Sequence, residues 1–244
     1  VSTAPPEDQR RLLEVQALDT RLQQLTHKRA SLPSIARIAE LDAQISDLST
    51  SLVASRTAVS DLKRELTKAE GDVEQVRNRA TRDQTRLDSG QVGAKDAQAL
   101  VGELESLSRR QEVLEEIELG VMERLEAHEE ALAKLDSAND ELVAAKREVE
   151  AERDAQLAEI DAEVATVSAA RAKAADGIDA GLVTLYDRLR NQLGGLGAAV
   201  LNGRRCEGCR LELNPSDVAA IKAKAPEQVA RCEECSRILV RLDA

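Results

Sequence analysis

Apolar residues recur at every seventh position from Ile38 to Leu87: Ile38, Ile45, Leu52, Val59, Leu66, Val73, Ala80, Leu87. A companion row three residues further on reads Leu41, Leu48, Ser55, Leu62, Ala69, Val76, Asp83. This is a heptad, and it confines the segment to a helix that buries one narrow stripe against another helix. A second heptad runs through Leu100, Leu107, Leu114, Val121, His128, Leu135, Leu142 and Val149. Its companions Leu104, Leu125, Leu132 and Ile160 are apolar, while Gln111, Asn139, Lys146 and Arg153 are not.

Between the two heptads lies Asp88-Ser89-Gly90-Gln91-Val92-Gly93, a small polar cluster with two glycines that reads as a turn. Two periodic stretches of similar length joined by one short turn predict an antiparallel coiled-coil hairpin over residues 7–175, with its turn near 88–95. An arm of about 80 residues would span roughly 120 Å. Parallel dimers of straight helices are the competing arrangement, and the glycine turn argues against them. His128, at an apolar register position, is expected at the edge of the seam rather than as a ligand. The pattern also extends upstream through Leu12, Val15, Leu18, Leu22, Leu25 and Leu32 before Pro33 interrupts it. Proline removes a backbone donor and clashes with the preceding turn, so a kink or break is expected there, with Ser34 as a candidate cap for the restarting helix.

The composition fits this reading. The chain has 244 residues, one Tyr (Tyr186), one Met (Met122), and neither Phe nor Trp, yet 42% of it is hydrophobic. That is too apolar for disorder and too poor in rings for a thick globular core. A two-helix seam takes Leu, Ile, Val and Ala and has little room for rings. No apolar run approaches the ~20 residues of a bilayer span. The segment Val1 to Arg10 is polar and shows no secretory signal, so a cytoplasmic setting without membrane contact is expected. With only two His residues, acid–base and triad chemistry have few candidates, and neither enzymatic activity nor a small-molecule substrate is expected.

Charge divides the chain. The net charge is −11, but residues 203–244 hold eight basic and seven acidic side chains, leaving −12 on the remainder. All four cysteines lie in the same stretch. Before it, Asp176-Gly177 should loosen the long helix, with Gly181 adding to this. A shorter amphipathic helix follows through Ile178, Leu182, Leu185, Leu189 and Leu193, with Tyr186 on or beside its stripe. Gly194-Gly195-Leu196-Gly197 then ends it. This glycine cluster lacks the Gly-Lys-Ser/Thr ending of a phosphate loop. Residues 176–197 are thus a connecting helix and glycine-rich loop.

Cys206-Glu207-Gly208-Cys209 and Cys232-Glu233-Glu234-Cys235 are two Cys-x-x-Cys units. Each pair can clasp a metal from a tight knuckle, and two pairs complete a tetrahedron. Four thiolates at Cys206, Cys209, Cys232 and Cys235 describe one structural Zn²⁺ rather than an open catalytic ion; iron is the chemical alternative, and disulfides or a redox couple the other. The flanks predict a zinc ribbon over 198–244. Ala198–Leu201 reads as a strand, Asn202-Gly203 as a hairpin turn, Asn214-Pro215 as the start of a helix through about Ala223, and Arg237–Arg241 as a final strand. So small a segment needs the metal to supply much of its folding energy. Arg204, Arg205, Arg210, Lys222, Lys224, Arg231 and Arg237 are candidate contacts to a protein or to RNA or DNA, although cations near a negatively charged Zn(Cys)₄ centre also have a screening role.

The segments Leu185-Tyr186-Asp187-Arg188-Leu189-Arg190, Cys206-x-x-Cys209 with Leu213-x-Pro215, and Cys232-Glu233-Glu234-Cys235-Ser236-Arg237-Ile238-Leu239 carry a resemblance. So does Val92–Leu100 after the turn. Together they resemble the bacterial C4-type zinc ribbon proteins with an N-terminal coiled-coil hairpin. That family usually has Lys-Glu-Tyr where this chain has Lys95-Asp96-Ala97. The resemblance implies a mainly α fold, a cytoplasmic adaptor, and contacts near the hairpin turn, with Lys95, Asp96 and Gln98 as candidates. Members in bacteria with flagella or type III secretion bind a sigma-54-type factor and export components, and one is reported to bind flagellin messenger RNA through its ribbon. The leading expectation is a non-enzymatic scaffold with protein partners, and the alternative is nucleic-acid binding by the ribbon.

Overall fold

The computed structural model of the protein describes residues 3–242. Val1 and Ser2, and the last two residues of the expected ribbon domain (Asp243 and Ala244), lie outside the described residues. The elements are α1 (Pro6–Ala30), α2 (Pro33–Asp88), α3 (Ala94–Ala175), α4 (Ala180–Gln192), β1 (Ala198–Asn202), β2 (Arg205–Cys206), α5 (Pro215–Ala223), β3 (Ala230–Arg231) and β4 (Ile238–Val240). Residues Ala36–Glu150 form one compact unit; the rest, up to Ile35 and from Ala151 onward, forms a second.

In the 36–150 unit the heptads hold almost without exception. Every position of both α2 rows is buried or half-buried, Ser55 and Asp83 included. On α3 the same is true from Leu100 to Val149 except at His128, which is exposed. This corrects its expected seat at the seam edge: imidazole is better hydrated outside a narrow aliphatic stripe. Val59, Leu62 and Leu125 make a buried cluster with Leu66 and Leu132 against it. Charged pairs flank the seam, including Lys63–Glu129 at 2.8 Å, Arg124–Glu65 at 2.7 Å and Arg77–Glu115 at 2.5 Å. Exposed pairs of this kind contribute little each, but they fix which faces meet. The turn falls between Asp88 and Ala94, with Gly90 at φ +65°.

The break at Pro33 is real, but its chemistry differs from expectation. α1 stops at Ala30 and α2 starts on Pro33 itself, the position where a missing N–H costs nothing. Ser34 therefore falls inside the first turn of α2. Its hydroxyl is buried without a hydrogen-bond partner, so it is not a cap. Leu25 and Leu32 instead pack with Ile160 on α3. α3 ends at Ala175, and Gly177 reverses the chain at φ +74°. Gly181 sits in the first turn of α4 instead of loosening it; Asp179 caps that helix by accepting from the Leu182 N–H at 2.8 Å.

The ribbon sheet has order β2-β1-β4-β3. β1 pairs with β4 in parallel, and β2 and β3 pair antiparallel with β1 and β4 at the two edges. The β1–β2 hairpin turns on Gly203 and Arg204, with Asn202 paired to Arg205, one residue later than Asn202-Gly203 suggested. α5 begins on Pro215 as expected, although Asn214 makes no side-chain cap. Successive side chains on a strand point to opposite faces. Ala198, Ile238 and Val240 accordingly join Leu12 and Val15 of α1 and Leu182, Leu185, Tyr186 and Leu189 of α4. Ala199, Leu201 and Leu239 face the other way, toward Leu213, Val218, Ile221, Cys206 and Cys232. The central strands are thus covered on both sides.

Candidate metal centre and the surface around it

Each Cys pair sits in a knuckle, and the two knuckles repeat one design. In the first, the Cys206 N–H donates to the Leu211 carbonyl at 3.0 Å, and the Arg210 N–H returns to the Cys206 carbonyl at 2.7 Å. In the second, the Cys232 N–H donates to the Arg237 carbonyl at 2.9 Å, and the Ser236 N–H returns to the Cys232 carbonyl at 2.8 Å. Arg210 and Ser236 take positive φ, +64° and +62°, so the chain can curl behind each pair. The arginine before each pair clamps its own knuckle. Arg205 Nε donates to the Arg210 carbonyl at 3.2 Å, and Arg231 Nε to the Ser236 carbonyl at 2.9 Å.

The four Sγ atoms all lie within 4.8 Å of one another. Cys206 and Cys235 are 3.9 Å apart, and Cys209 and Cys232 are 4.0 Å apart. A tetrahedral ion with Zn–S bonds of about 2.3 Å needs a sulfur–sulfur edge of roughly 3.8 Å, so the cradle fits. The same separations are far beyond a disulfide bond of about 2.05 Å. Cys206 and Cys232 are buried at 0% and 2% exposure, while Cys209 and Cys235 are half-buried. Burial pushes the Cys206 thiol up and the Cys232 thiol up to about 12, each further raised by a thiol of the cluster. Burial also acts on Cys235, but the Arg237 backbone N–H and side chain and the neighbouring thiols outweigh it, bringing it down to about 7. A bound dication compensates the burial of thiolates and favours them throughout.

The other cationic candidates are used unevenly. Arg237 is half-buried and ties the second knuckle to the loop after α4, donating to the Leu196 and Leu193 carbonyls at 2.8 and 3.0 Å. Arg204 is exposed and lies 3.7 Å from Glu212. Arg210 is exposed. Lys222 and Lys224 come together beside a cavity of about 370 Å³ that also touches Leu201, Pro226 and Arg241. Arg241, which charge reasoning passed over, donates to the carbonyls of Ile221, Lys224, Ala225, Pro226 and Gln228. It closes the end of α5, where free carbonyls attract a cation. In the other unit, Lys95, Asp96 and Gln98 are all exposed on the first turn of α3.

Sequence reasoning missed the way the ribbon is mounted on α1. Gln9, Gln16 and Gln23 recur every seven residues on that helix. Gln9 is 3% exposed and donates to the Ala4, Pro226 and Glu227 carbonyls at 2.8, 3.1 and 3.3 Å. Gln16 is 5% exposed; its Oε1 accepts from the Gly197 and Ala198 N–H groups at 2.7 and 3.3 Å, and its Nε2 donates to the Gly195 carbonyl at 2.9 Å. Gln23 Nε2 reaches the Gly194 carbonyl at 3.4 Å. Gly197 is needed here, because a Cβ would lie 2.8 Å from the Tyr186 carbonyl oxygen. Beside this ladder Asp19, 1% exposed, accepts from the Tyr186 hydroxyl at 2.7 Å and from Arg171 Nε at 3.3 Å, with Arg190 at 3.5 Å. Burial, then the Asp19 hydrogen bond and charge, push the Tyr186 phenol well above its ordinary range. A glutamine at every seventh position of α1 was the available signal.

The fold and the thiol cluster define a helical hairpin protein with a four-cysteine metal ribbon. Comparison makes this specific. The CT398-like coiled coil hairpin domain matches residues 15–194, and the C4-type zinc ribbon domain matches residues 205–239. The chain belongs to the CT398-like coiled-coil hairpin family, with a C4-type zinc ribbon that holds one structural Zn²⁺. It is 37% identical over 235 residues to the uncharacterized protein Rv2229c of Mycobacterium tuberculosis, covering 96% of both chains. A solved structure from Mycobacterium smegmatis matches with a TM-score of 0.87 at 37% identity, over 98% of this chain and 100% of that one. CT398 from Chlamydia trachomatis shares the fold, with a TM-score of 0.68 at 19% identity over 96% and 98% of the two chains. No helix among the described residues is long and apolar enough to cross a membrane.

Proposed function

We propose that the protein is a non-enzymatic cytoplasmic adaptor in which zinc holds a binding surface in shape and the helices present it to protein partners. The observation that carries this reading is the closed donor set. Four thiols fill a tetrahedral shell, two of them fully buried, which leaves the metal the work of a staple. Its surroundings support the same role, since Arg205, Arg231 and Arg237 are committed to backbone carbonyls that brace the knuckles. Of the seven candidate phosphate contacts, half-buried Arg237 is turned inward onto the Leu193 and Leu196 carbonyls, which weakens the nucleic-acid reading.

Crosslinking in the native organism, comparing the intact chain with Cys206→Ala and with a Lys95→Ala/Gln98→Ala variant, tests the proposal. Protein crosslinks that disappear in at least one variant are expected. A crosslink pattern indifferent to both would sink the adaptor reading. A gel shift with single-stranded RNA that weakens steeply as salt rises would replace it with the nucleic-acid one.

A further inference from the structure

We propose that the 36–150 unit carries a docking groove for a basic amphipathic helix, on α3 beside Leu119 and Met122. The proposal rests on the adaptor reading and names the class of partner.

A two-helix coil buries its a and d rows and leaves polar side chains outside. α3 departs from this over a short stretch. Val113, Ile117, Leu119 and Met122 are 48%, 51%, 56% and 47% exposed; at 3.6 residues per turn Leu119 and Met122 share one flank of the seam, and Val113 and Ile117 share the other. Leu119 and Met122 lie beside the seam and, with Leu66 of α2 and Leu125, floor a groove of about 240 Å³. Methionine suits such a surface, because its unbranched thioether adapts to different partners. Leu119 and Met122, continuous with the seam leucines Leu66 and Leu125, make one apolar patch, and such a patch marks an interaction site more often than scattered single residues do.

The rim says what fits. Glu123, Glu126 and Glu129 surround the floor. Glu129 is paired with Lys63 at 2.8 Å, whereas Glu123 and Glu126 make no hydrogen bond or ion pair among the described residues. An apolar floor edged by unpaired carboxylates complements a helix with an apolar stripe flanked by Lys or Arg. A second copy of this chain does not suit it. A symmetric contact would set these glutamates against one another in a chain of net charge −11.

The test uses the full, zinc-loaded chain and a synthetic amphipathic Leu/Lys helical peptide, with a scrambled isomer of equal composition and charge. Binding is read by fluorescence anisotropy and by the ¹³C-methyl signal of Met122, assigned through its loss in Met122→Leu. The ordered peptide should bind at least about tenfold more tightly than the scramble and shift the Met122 signal. Leu119→Ser/Met122→Ser should abolish that preference; both positions are exposed, so zinc content and helicity should not change. Glu123→Gln/Glu126→Gln should weaken binding about threefold at low salt and flatten its salt dependence. Equal affinity for the two peptides, a preference that survives the Leu119/Met122 pair, or an unmoved Met122 signal would each overturn the groove. Failure here is separable from failure of the adaptor reading. Crosslinks in the native organism that survive Leu119→Ser/Met122→Ser but vanish in Cys206→Ala would keep the adaptor and remove the groove.

Discussion

In the 36–150 unit, Leu62 meets Leu125 in a seam where each turn of helix repeats the chemistry of the last. In the other unit, Gln16 satisfies the Gly195 carbonyl and the Gly197 and Ala198 N–H groups through one side-chain amide. The first kind of contact is generic and spread over many residues. The second is specific and concentrated in a few. A repeated seam loses stability in small steps as residues are removed, whereas a polar junction around a metal fails when one partner goes.

The largest test of that contrast is metal removal. Chelation or Cys206→Ala should unfold residues 198–242 and release one zinc equivalent, since structural zinc contributes on the order of 10 kcal/mol to small domains. Amide exchange should become fast across β1–β4 and remain slow between residues 36 and 150. Loss of protection in both units would break the distinction. Next is Asp19→Ala, which strips a buried carboxylate from Tyr186, Arg171 and Arg190. Arg171 keeps Asp187 at 2.7 Å, so the loss falls on the buried Tyr186 hydroxyl and on Arg190 and should cost about 3 kcal/mol. The drop in thermal stability should track exchange in α1 and α4 and spare the seam.

Leu62→Ala in the seam should cost about 2–3 kcal/mol, with a milder and more local loss of exchange protection. A smaller effect is expected from alkali. Tyr186 has its phenol pushed up in the folded state, so the unfolded chain ionises first as pH rises past about 10. Stability from this group is complete below that pH and declines above it, by at most about 1.4 kcal/mol per pH unit. With no other Tyr and no Trp, phenolate absorbance reports this residue directly, and it should appear only together with unfolding. The smallest effect is Gly120→Ala. A Cβ there meets nothing within 4 Å, so the helix should gain about 0.5–1 kcal/mol, read as a small rise in denaturant midpoint.

The same contrast explains what was legible in the sequence. The seam was, because a seven-residue period is local and repeats, and the burial of both α2 rows follows it. The four metal ligands were, because their spacing is itself the chemistry. Ser34 was misread because a cap depends on where the helix starts, and Pro33 takes that position. His128 was misread because register predicts a place in the heptad, not hydration. The mounting of the ribbon on α1 was not found, because Gln16 and Gly197 are 181 residues apart in sequence. One clue was present: Ala198–Leu201 and Ile238–Val240 are continuous apolar runs, and strands without alternation are covered on both faces. The sequence therefore already implied a second layer over the sheet without saying which helix supplied it.

The glutamine ladder has a consequence for how the molecule is made. Residues 36–150 are contiguous and dominated by neighbouring turns, so that unit can close while synthesis continues. Gln9 waits for the carbonyl of Pro226, 217 residues downstream, and Gln16 for the amides of Gly197 and Ala198. Until those strands emerge, Leu12 and Val15 of α1 have no sheet to cover them. Zinc capture is then the event that ends this exposure, and a cell short of zinc should accumulate chains whose central helices are folded and whose first helix is open to proteases.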